Sequence, residues 1–198
     1  MKKIVITGGL GYIGTELCKI YSGYSWHHDI LVFDNRFISE RVNQLRKWNI
    51  GFVHGDILDE DLIKKHFKDA DIVHHLAGIT DVPRTKTEST KERDEKIKLV
   101  AEKGTQNILD NISNDCKIIF PSTHVIYEGI DKVKTDIKED DDDKPVLSYA
   151  VSKSLNEKQI KQSGKKYIIL RLGSVYGYST DSMRIDIMPN LFSKIASQ

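Results

Sequence analysis

The stretch IVITGGLGYIG, residues 4–14, sets the architecture of this 198-residue chain. Its apolar, β-branched start predicts a buried parallel strand, and residues 15–21 after it predict a helix. A strand that ends in glycines and opens a helix can hold a pyrophosphate, because the turn is tight and the N–H groups at the start of the helix point at the anion. Gly8, Gly11 and Gly14 are spaced GxxGxxG, which predicts a nucleotide-binding turn, with a purely structural turn as the alternative.

The rest of the chain alternates between strand-like and helix-like segments. Five further apolar runs predict strands at 30–34, 50–54, 71–75, 117–121 and 167–171. Helical patterns fall between them at 39–47, at 59–67, within 86–112 and at 149–162. This alternation predicts an α/β fold, namely a doubly wound parallel sheet of the Rossmann type with helices on both faces. The acidic run at 138–144 is expected to be a solvated loop.

Charge and composition narrow the classes of partner. The net charge of +1 gives no electrostatic reason to expect nucleic acid or an anionic membrane as a partner. No apolar run is long enough to span a bilayer, and the chain enters its first strand without a signal peptide. Cys18 and Cys116 lie far apart in predicted buried elements, where core thiols in a reducing compartment are expected. A cytoplasmic protein is therefore predicted.

Two carboxylates follow the second and third predicted strands. Asp34 lies about 20 residues beyond Gly14, where a carboxylate accepts hydrogen bonds from the adenosine ribose hydroxyls. It would repel a 2′-phosphate, so NAD is favoured over NADP, although Arg36 nearby can accommodate that phosphate. Asp34 as a simple turn former is the alternative. Asp56 ends the third strand, where its side chain could reach the adenine amino group.

The fourth strand runs into His75-Leu76-Ala77-Gly78, whose small residues let a cofactor lie against the backbone. His74 and His75 are adjacent and should point to opposite faces of the sheet. Roles in the core or in support of the site are therefore expected for them, rather than a metal site.

Three residues with side chains suited to catalysis follow the fifth predicted strand, namely Thr123, Tyr149 and Lys153. Tyr149 and Lys153 are four residues apart and share one face of a predicted helix, while Thr123 ends the strand before it. A tyrosine with a pKa near 10 is a poor base at neutral pH. The Lys153 ammonium and a positive nicotinamide ring should favour the phenolate, and Thr123 can hydrogen-bond the substrate oxygen. Tyrosine and lysine at this spacing are also common on helix surfaces, which is the alternative.

These motifs together resemble those of the extended short-chain dehydrogenase/reductase family, in its NAD-dependent sugar-nucleotide epimerase/dehydratase branch. The resemblance implies tightly bound NAD, Tyr149 as the acid and base, Lys153 as its partner and Thr123 as the hydroxyl that binds the substrate. It also implies a homodimer built on helices 91–112 and 149–162; a solvated charged helix is the alternative for the first of these. Residues 1–178 would form the NAD-binding domain, and 179–198 the start of a substrate-binding region.

The resemblance also implies a set of binding residues. For the cofactor these are Gly8, Gly11, Tyr12, Ile13, Gly14, Asp34, Asn35, Asp56, Ile57, Leu76, Ala77, Gly78, Ser122, Tyr149 and Lys153. For the substrate they are Thr123 and Ser174.

Three positions depart from the pattern of the family. Members that eliminate water or decarboxylate carry an acidic residue two positions after the catalytic threonine, but His124 and Val125 follow here, which disfavours dehydratase chemistry. Ser174 replaces the usual Asn before Val-Tyr-Gly, and Ala101 stands where an Asn is common. Family members also run well beyond position 198, so we expect either a part of a longer chain or a reduced substrate site.

The sequence therefore predicts an NAD-dependent enzyme that epimerises a nucleotide-sugar through a transient keto sugar, with NAD returned unchanged. Two alternatives stay open. One is a net reductase or dehydrogenase of a nucleotide-sugar or other small carbonyl compound. The other is a non-catalytic module that binds NAD.

Overall fold

The computed structural model describes residues 1–80, 89–179 and 182–198. In these ranges six strands alternate with six α-helices. The strands are β1 Lys2–Thr7, β2 His28–Asp34, β3 Gly51–His54, β4 Ile72–His75, β5 Lys117–Thr123 and β6 Lys166–Leu172. The helices are α1 Tyr12–Ser22, α2 Ser39–Lys47, α3 Glu60–Phe67, α4 Lys91–Asn111, α5 Ser148–Gln162 and α6 Met188–Ala196, with a short 3₁₀ helix at His124–Tyr127.

All six strands are parallel and lie in the order β3-β2-β1-β4-β5-β6. The predicted Rossmann-type sheet is confirmed. The chain leaves β1 toward β2 on one side and later returns to place β4 on the other side, so the strand order reverses between β1 and β4. In such sheets a ligand binds outside the carboxyl ends of the strands at this point.

Apolar residues cover both faces of the sheet, which explains why the strands read as continuous apolar runs. Ile4 and Ile6 point into a core with α1 and α2, whereas Val5 between them points into a second core with α3, α4 and α5. Cys18 lies in the first core and Cys116 in the second. Both are free thiols, and burial raises their pKa values to about 12 and about 11, so the prediction of core thiols is confirmed.

Most element bounds agree with the sequence prediction to within one or two residues, with two larger differences. Helix α1 begins at Tyr12 rather than at residue 15, because Gly11 is its N-cap and the glycine turn itself leads into the first helical turn. Helix α6, which has a proline in its first turn, was not predicted. Residues 86–88 of the predicted long helix lie outside the described residues; α4 begins at Lys91, after Thr90 caps it by accepting from the Arg93 amide.

The acidic loop at 138–144 is largely exposed, as predicted, but it is also anchored. The Tyr127 hydroxyl donates to the carbonyl of Lys138 at 2.9 Å, and Arg171 donates to the carbonyl of Glu139 at 2.9 Å. Ser154 of α5 donates to Asp143. The loop is therefore fastened to β6, to α5 and to the 3₁₀ helix.

Strand β6 forms one edge of the sheet and is the least covered strand. Tyr167, Ile168 and Leu170 are each more than 40% exposed, at 44%, 41% and 43%. In the neighbouring strand β5, Ile118 and Phe120 are fully buried. Across the described ranges, no helix has the length and apolar character needed to cross a membrane.

Candidate active site

A cleft of about 1160 Å³ opens at the carboxyl ends of the strands. Its walls come from the glycine turn, the ends of β2 to β6, α4, α5 and the segment after residue 173. Every predicted cofactor residue and all three predicted catalytic residues line it: Gly8, Gly11, Tyr12, Ile13, Gly14, Asp34, Asn35, Asp56, Ile57, Leu76, Ala77, Gly78, Ser122, Thr123, Tyr149 and Lys153. Residues that are far apart in sequence thus meet in one cavity.

The glycine turn packs its backbone too closely for side chains at two of its glycines. Gly8 has a φ of +66°, and a Cβ there would lie 2.8 Å from the Ala77 amide nitrogen of β4's continuation. A Cβ on Gly14 would lie 2.5 Å from the Gly8 carbonyl oxygen. Gly11 caps α1 without any side-chain hydrogen bond, and the first helical turn carries no acidic residue, so its N–H groups suit an anion. These residues fit the pyrophosphate of a dinucleotide.

The Asp34 carboxylate lies at the end of β2, in the lining of the cleft, and is buried. It accepts from the Leu10 amide at 2.9 Å and from the Arg36 amide at 2.9 Å, and the Arg36 guanidinium lies 3.4 Å away. Asp34 thereby joins the end of β2 to the glycine turn. The same carboxylate has oxygen lone pairs left for ribose hydroxyls, because a carboxylate can accept about four hydrogen bonds.

Asn35 and Asp56 form a second polar pair at this end. The Asn35 amide donates to one oxygen of Asp56 at 3.1 Å, and the Leu58 amide donates to the other at 2.9 Å. Ile57 and Leu58 continue the lining beside them. A polar edge next to apolar side chains suits a flat heterocycle such as adenine.

The buried His75 side chain at the end of β4 hydrogen-bonds to side chains of β1 and α4. Its ring nitrogens lie 3.0 Å from the hydroxyl of Thr7 and 3.0 Å from that of Thr105, and the Ala77 amide donates to Thr7. Burial, followed by the charge of Lys153, lowers the pKa of His75 to about 3, so the ring is neutral. His74 points to the other face and lies 2.8 Å from the Tyr21 hydroxyl. The predicted opposite orientation of the two histidines is confirmed.

The end of β5 holds the predicted substrate hydroxyl. Thr123 is buried, and its hydroxyl oxygen accepts from the Val125 amide at 3.3 Å, which caps the 3₁₀ helix. Its proton remains available for a substrate oxygen. Lys153 reaches back to the same strand end, where its ammonium donates to the Pro121 carbonyl at 2.9 Å and lies 4.3 Å above the Phe120 ring.

The pKa of the Tyr149 phenol is raised in the chain by itself, whereas a lowered pKa is predicted for the site with NAD bound. Burial raises the pKa of the Tyr149 phenol, and the cation that opposes this effect is Arg184. Lys153 was predicted to lower this pKa, but its ammonium is bonded to a carbonyl and sits 5.9 Å from the centre of the Tyr149 ring. In the chain by itself, burial therefore outweighs any effect of Lys153 on this pKa. The prediction also invoked the positive nicotinamide ring, so a lowered pKa with NAD bound stays a prediction.

Two predicted binding residues occupy unexpected positions. The Ser122 hydroxyl donates to Glu157 at 2.5 Å, so it faces α5 while Ser122 still lines the cleft. Ser174 is exposed and does not line the cleft, although Gly173 and Val175 on either side of it do. The roles assigned to both residues remain predictions.

The structure adds a set of cations that the sequence analysis did not assign to the site. They are Arg41 after β2, Arg93 and Lys96 of α4, and Arg184 before α6. Arg184 pairs with Asp186 and donates to the Thr80 carbonyl at 3.4 Å, which places it beside the segment that follows β4. No local motif marks any of these residues, since each reaches the cleft through tertiary packing. Among the described residues, no group of three His, Cys, Asp or Glu side chains is arranged to hold a metal ion.

Comparison with known sequences identifies relatives along most of the chain. The model of the NAD dependent epimerase/dehydratase family matches residues 4–198. UDP-glucose 4-epimerase of Lactobacillus helveticus is 31% identical over 191 residues, covering 90% of this chain and 53% of that protein. dTDP-D-glucose 4,6-dehydratase of Dictyostelium discoideum is 29% identical over 198 residues, covering 89% of this chain and 44% of that protein. The chain spans about half the length of these curated relatives.

Comparison with solved structures finds the same architecture. UDP-glucuronic acid 4-epimerase from Bacillus cereus, solved with UDP-glucuronic acid and NAD, has a TM-score of 0.76 and 25% sequence identity. The match covers 98% of this chain and 63% of that one.

Proposed function

Since the chain belongs to the NAD-dependent epimerase/dehydratase family, we propose that it carries the cofactor site and the catalytic residues of a nucleotide-sugar epimerase. One observation carries the proposal. Thr123, Tyr149 and Lys153 line the same cleft as the glycine turn and Asp34. NAD is the cofactor of the family, and the turn, the helix end and the carboxylate described above fit it. In this proposal residues 1–178 are the NAD-binding domain, and 179–198 begin the substrate region.

Bound NAD would supply a reversible hydride acceptor. Thr123 would donate its hydroxyl proton to the reacting sugar oxygen and hold it near Tyr149. With NAD bound, the positive nicotinamide ring and the Lys153 ammonium would favour the phenolate form of Tyr149. The phenolate would take the proton of that sugar hydroxyl as the carbon is oxidised, and the resulting phenol would return it when the carbon is reduced from the opposite face. Lys153 would hydrogen-bond the nicotinamide ribose and lie close to the tyrosine.

Epimerisation fits the residues after Thr123 better than dehydration does. The family members that eliminate water use a carboxylate two positions beyond the threonine, whereas this chain has His124 and Val125. The His124 ring lies 3.1 Å from the Leu172 carbonyl, at an exposed position. Neither side chain offers the carboxylate that an elimination requires.

The test is interconversion of nucleotide-sugar epimers without net change in NADH. UDP-glucose and UDP-glucuronic acid are the first substrates to try, because relatives with these names match the chain. Tyr149→Phe should lose at least about 100-fold in turnover while it still binds NAD, since only the proton-transferring oxygen is removed. The control is Tyr24→Phe, at a 56% exposed tyrosine on the α1–β2 connection. Steady formation or consumption of NADH would instead indicate a net reductase, and NAD binding without any turnover would indicate a non-catalytic module.

We also propose that two chains associate through α4 and α5. The two helices pack side by side, since Asn156 donates to the Ala101 carbonyl at 2.9 Å and Gln159 to the Glu102 carbonyl at 3.0 Å. Leu99 and Val151 are exposed on this pair, at 51% and 46%. Light scattering should therefore find a dimer that Val151→Glu dissociates. A wild-type chain that stays monomeric at all concentrations would contradict this.

The buried, unpaired thiols support a reducing location, and we propose the cytoplasm. Fractionation of cells that produce the protein would test this. Recovery in an oxidising compartment would contradict it.

A further inference from the structure

The helix face that carries Tyr149 and Lys153 continues to Glu157, one turn further along α5. Glu157 is 3% exposed although it is a carboxylate. Ser122 donates to it at 2.5 Å, and Arg171 donates to its two oxygens at 3.0 and 2.7 Å. Lys161 lies 3.4 Å away on the outer, exposed side. A buried charge of this kind is stable only when it is paired and hydrogen-bonded.

The partners of Glu157 lie on adjacent strands. Ser122 of β5 and Arg171 of β6 are register neighbours in the sheet, so one carboxylate joins α5 to two strands at the same level. The residue before Ser122 is Pro121, whose carbonyl accepts from Lys153. Helix α5 is therefore attached to two consecutive residues of β5, directly before Thr123.

We propose that Glu157 is the positioning residue of this site: held by Arg171, it fixes the end of β5 against α5 and keeps Lys153 charged. The inference rests on the proposed function only for the catalytic meaning of Thr123, Tyr149 and Lys153. The contacts among Glu157, Ser122 and Arg171 do not depend on that function, since the proposed mechanism uses none of the three as a reacting group.

The charge of Glu157 is secured by its partners. Burial pushes the pKa of the Glu157 carboxyl upward, but the hydrogen bonds from Arg171 and Ser122, with the charges of Arg171 and Lys161, lower it overall. Arg171 is itself held on its far side, where it donates to the Tyr127 hydroxyl and to the carbonyl of Glu139. The acidic loop therefore helps to hold Arg171 in the position where it pairs with Glu157.

Lys153 depends on this carboxylate. Burial lowers the pKa of the Lys153 ammonium to about 8, and the negative charge of Glu157 acts in the opposite direction. Among the residues that the structure describes, the other groups packed around Lys153 carry no negative charge: His75 of β4 is neutral, Tyr149 of α5 is a phenol with a raised pKa, and Phe120 of β5 offers a ring face. Arg171 and Lys161 are cations that pair with Glu157 itself. Loss of the Glu157 charge should therefore let Lys153 lose its proton at a lower pH.

The first test measures the titration of Lys153 in the protein without substrate, by NMR of ¹³C-labelled lysine side chains, with Lys153→Met to assign the resonance. We expect a midpoint near pH 8 in the wild type and one about one pH unit lower in Glu157→Gln. Lys161→Gln, which removes the exposed partner of the same carboxylate, should leave the midpoint in place. If Glu157 had only a structural role, Glu157→Gln would lower the stability of the fold and leave the titration midpoint of Lys153 unchanged. If Glu157→Gln fails to fold because Arg171 is left unpaired, Glu157→Gln with Arg171→Met removes both charges. It should show a shift in the same direction, smaller because a nearby cation is lost with the carboxylate.

The second test addresses the link to β5. Ser122→Ala keeps every charge, so the midpoint of Lys153 should stay, but the Thr123 amide should exchange with solvent at least about tenfold faster because the strand end is released. An unchanged midpoint in folded Glu157→Gln, or unchanged exchange at Thr123 in Ser122→Ala, would overturn the proposal. Neither the titration of Lys153 nor the amide exchange of Thr123 requires turnover. The two measurements therefore test the role of Glu157 independently of the proposed activity.

Discussion

The centre of the sheet and its β6 edge are built in different ways. At the centre, the glycine turn packs backbone against backbone so closely that a Cβ on Gly14 would lie 2.5 Å from the Gly8 carbonyl oxygen. At the edge, Ile168 is 41% exposed, and a Cβ on Gly173 would meet no atom within 4 Å. Close backbone packing therefore holds the cofactor end of the sheet, whereas the β6 edge leaves apolar side chains partly in water and is held by its pairing with β5 and by the polar contacts of Arg171.

The largest expected difference between the two regions concerns stability. Ile118→Ala in β5 should lower the free energy of unfolding by about 2–5 kcal/mol, because it leaves a cavity in the core. Ile168→Ala in the neighbouring strand should cost less than about 1 kcal/mol, since its side chain is already partly in water. Urea unfolding of the two variants measures this difference. Equal losses would mean that β6 is as well packed as β5.

The next contrast concerns the glycines. Gly14→Ala should cost about 1–3 kcal/mol through overpacking and should abolish NAD binding, because the added methyl group displaces the turn. Gly173→Ala should leave the melting temperature nearly unchanged, and Gly23→Ala, at a glycine outside the cleft where a Cβ would lie 3.7 Å from the Ile20 carbonyl oxygen, should leave the NAD affinity unchanged. Isothermal calorimetry with NAD and thermal unfolding test both. Normal NAD affinity in Gly14→Ala would show that the turn does not form the cofactor site.

A pH effect should also distinguish the centre of the sheet. Burial, followed by the charge of Lys153, lowers the pKa of His75 in the folded protein to about 3 from the ordinary 6.5, so below pH 6.5 the unfolded chain binds a proton that the folded chain does not. Stability should therefore be complete above pH 6.5 and decrease as the pH falls toward 3. His75→Gln should reduce this slope in urea unfolding measured between pH 7 and 4. An identical slope in the variant would contradict the assignment.

The smallest expected effect lies in the segment after β6. Arg184 opposes the burial that raises the pKa of Tyr149, so Arg184→Gln should raise that pKa further by a fraction of a pH unit. Ultraviolet absorbance of the phenolate, with Tyr149→Phe as the blank, measures the titration. A lower pKa in the variant would contradict the electrostatic role of Arg184.

The same contrast explains what the sequence could predict. The fold depends on local patterns, such as the apolar strands and the GxxGxxG turn, and it agrees with the structure. Asp34 and the other residues predicted for the cofactor line the cleft, and their binding of NAD stays a prediction. The spacing of Tyr149 and Lys153 predicted their common helix face. It could not predict that the Lys153 ammonium donates to the Pro121 carbonyl, because that bond depends on how α5 packs against β5.

The remaining site residues depend on contacts between distant parts of the chain. Arg184 reaches the cleft from a segment without strand or helix periodicity, and Glu157 is paired with a residue of β6. Glu157 carried one weak local signal, since it lies four residues after Lys153 on the same face. Its burial, which gives it a role, could be seen only in the folded chain.

The most direct test of the central claim is native mass spectrometry of the purified chain, followed by denaturation and identification of the released small molecule. If residues 1–198 form the cofactor site described here, each chain should carry one NAD as purified or after NAD is added, and Gly14→Ala should carry none. A wild-type chain that folds but retains no NAD even after addition would contradict the claim. The catalytic assignments of Thr123, Tyr149 and Lys153 would then lose their basis.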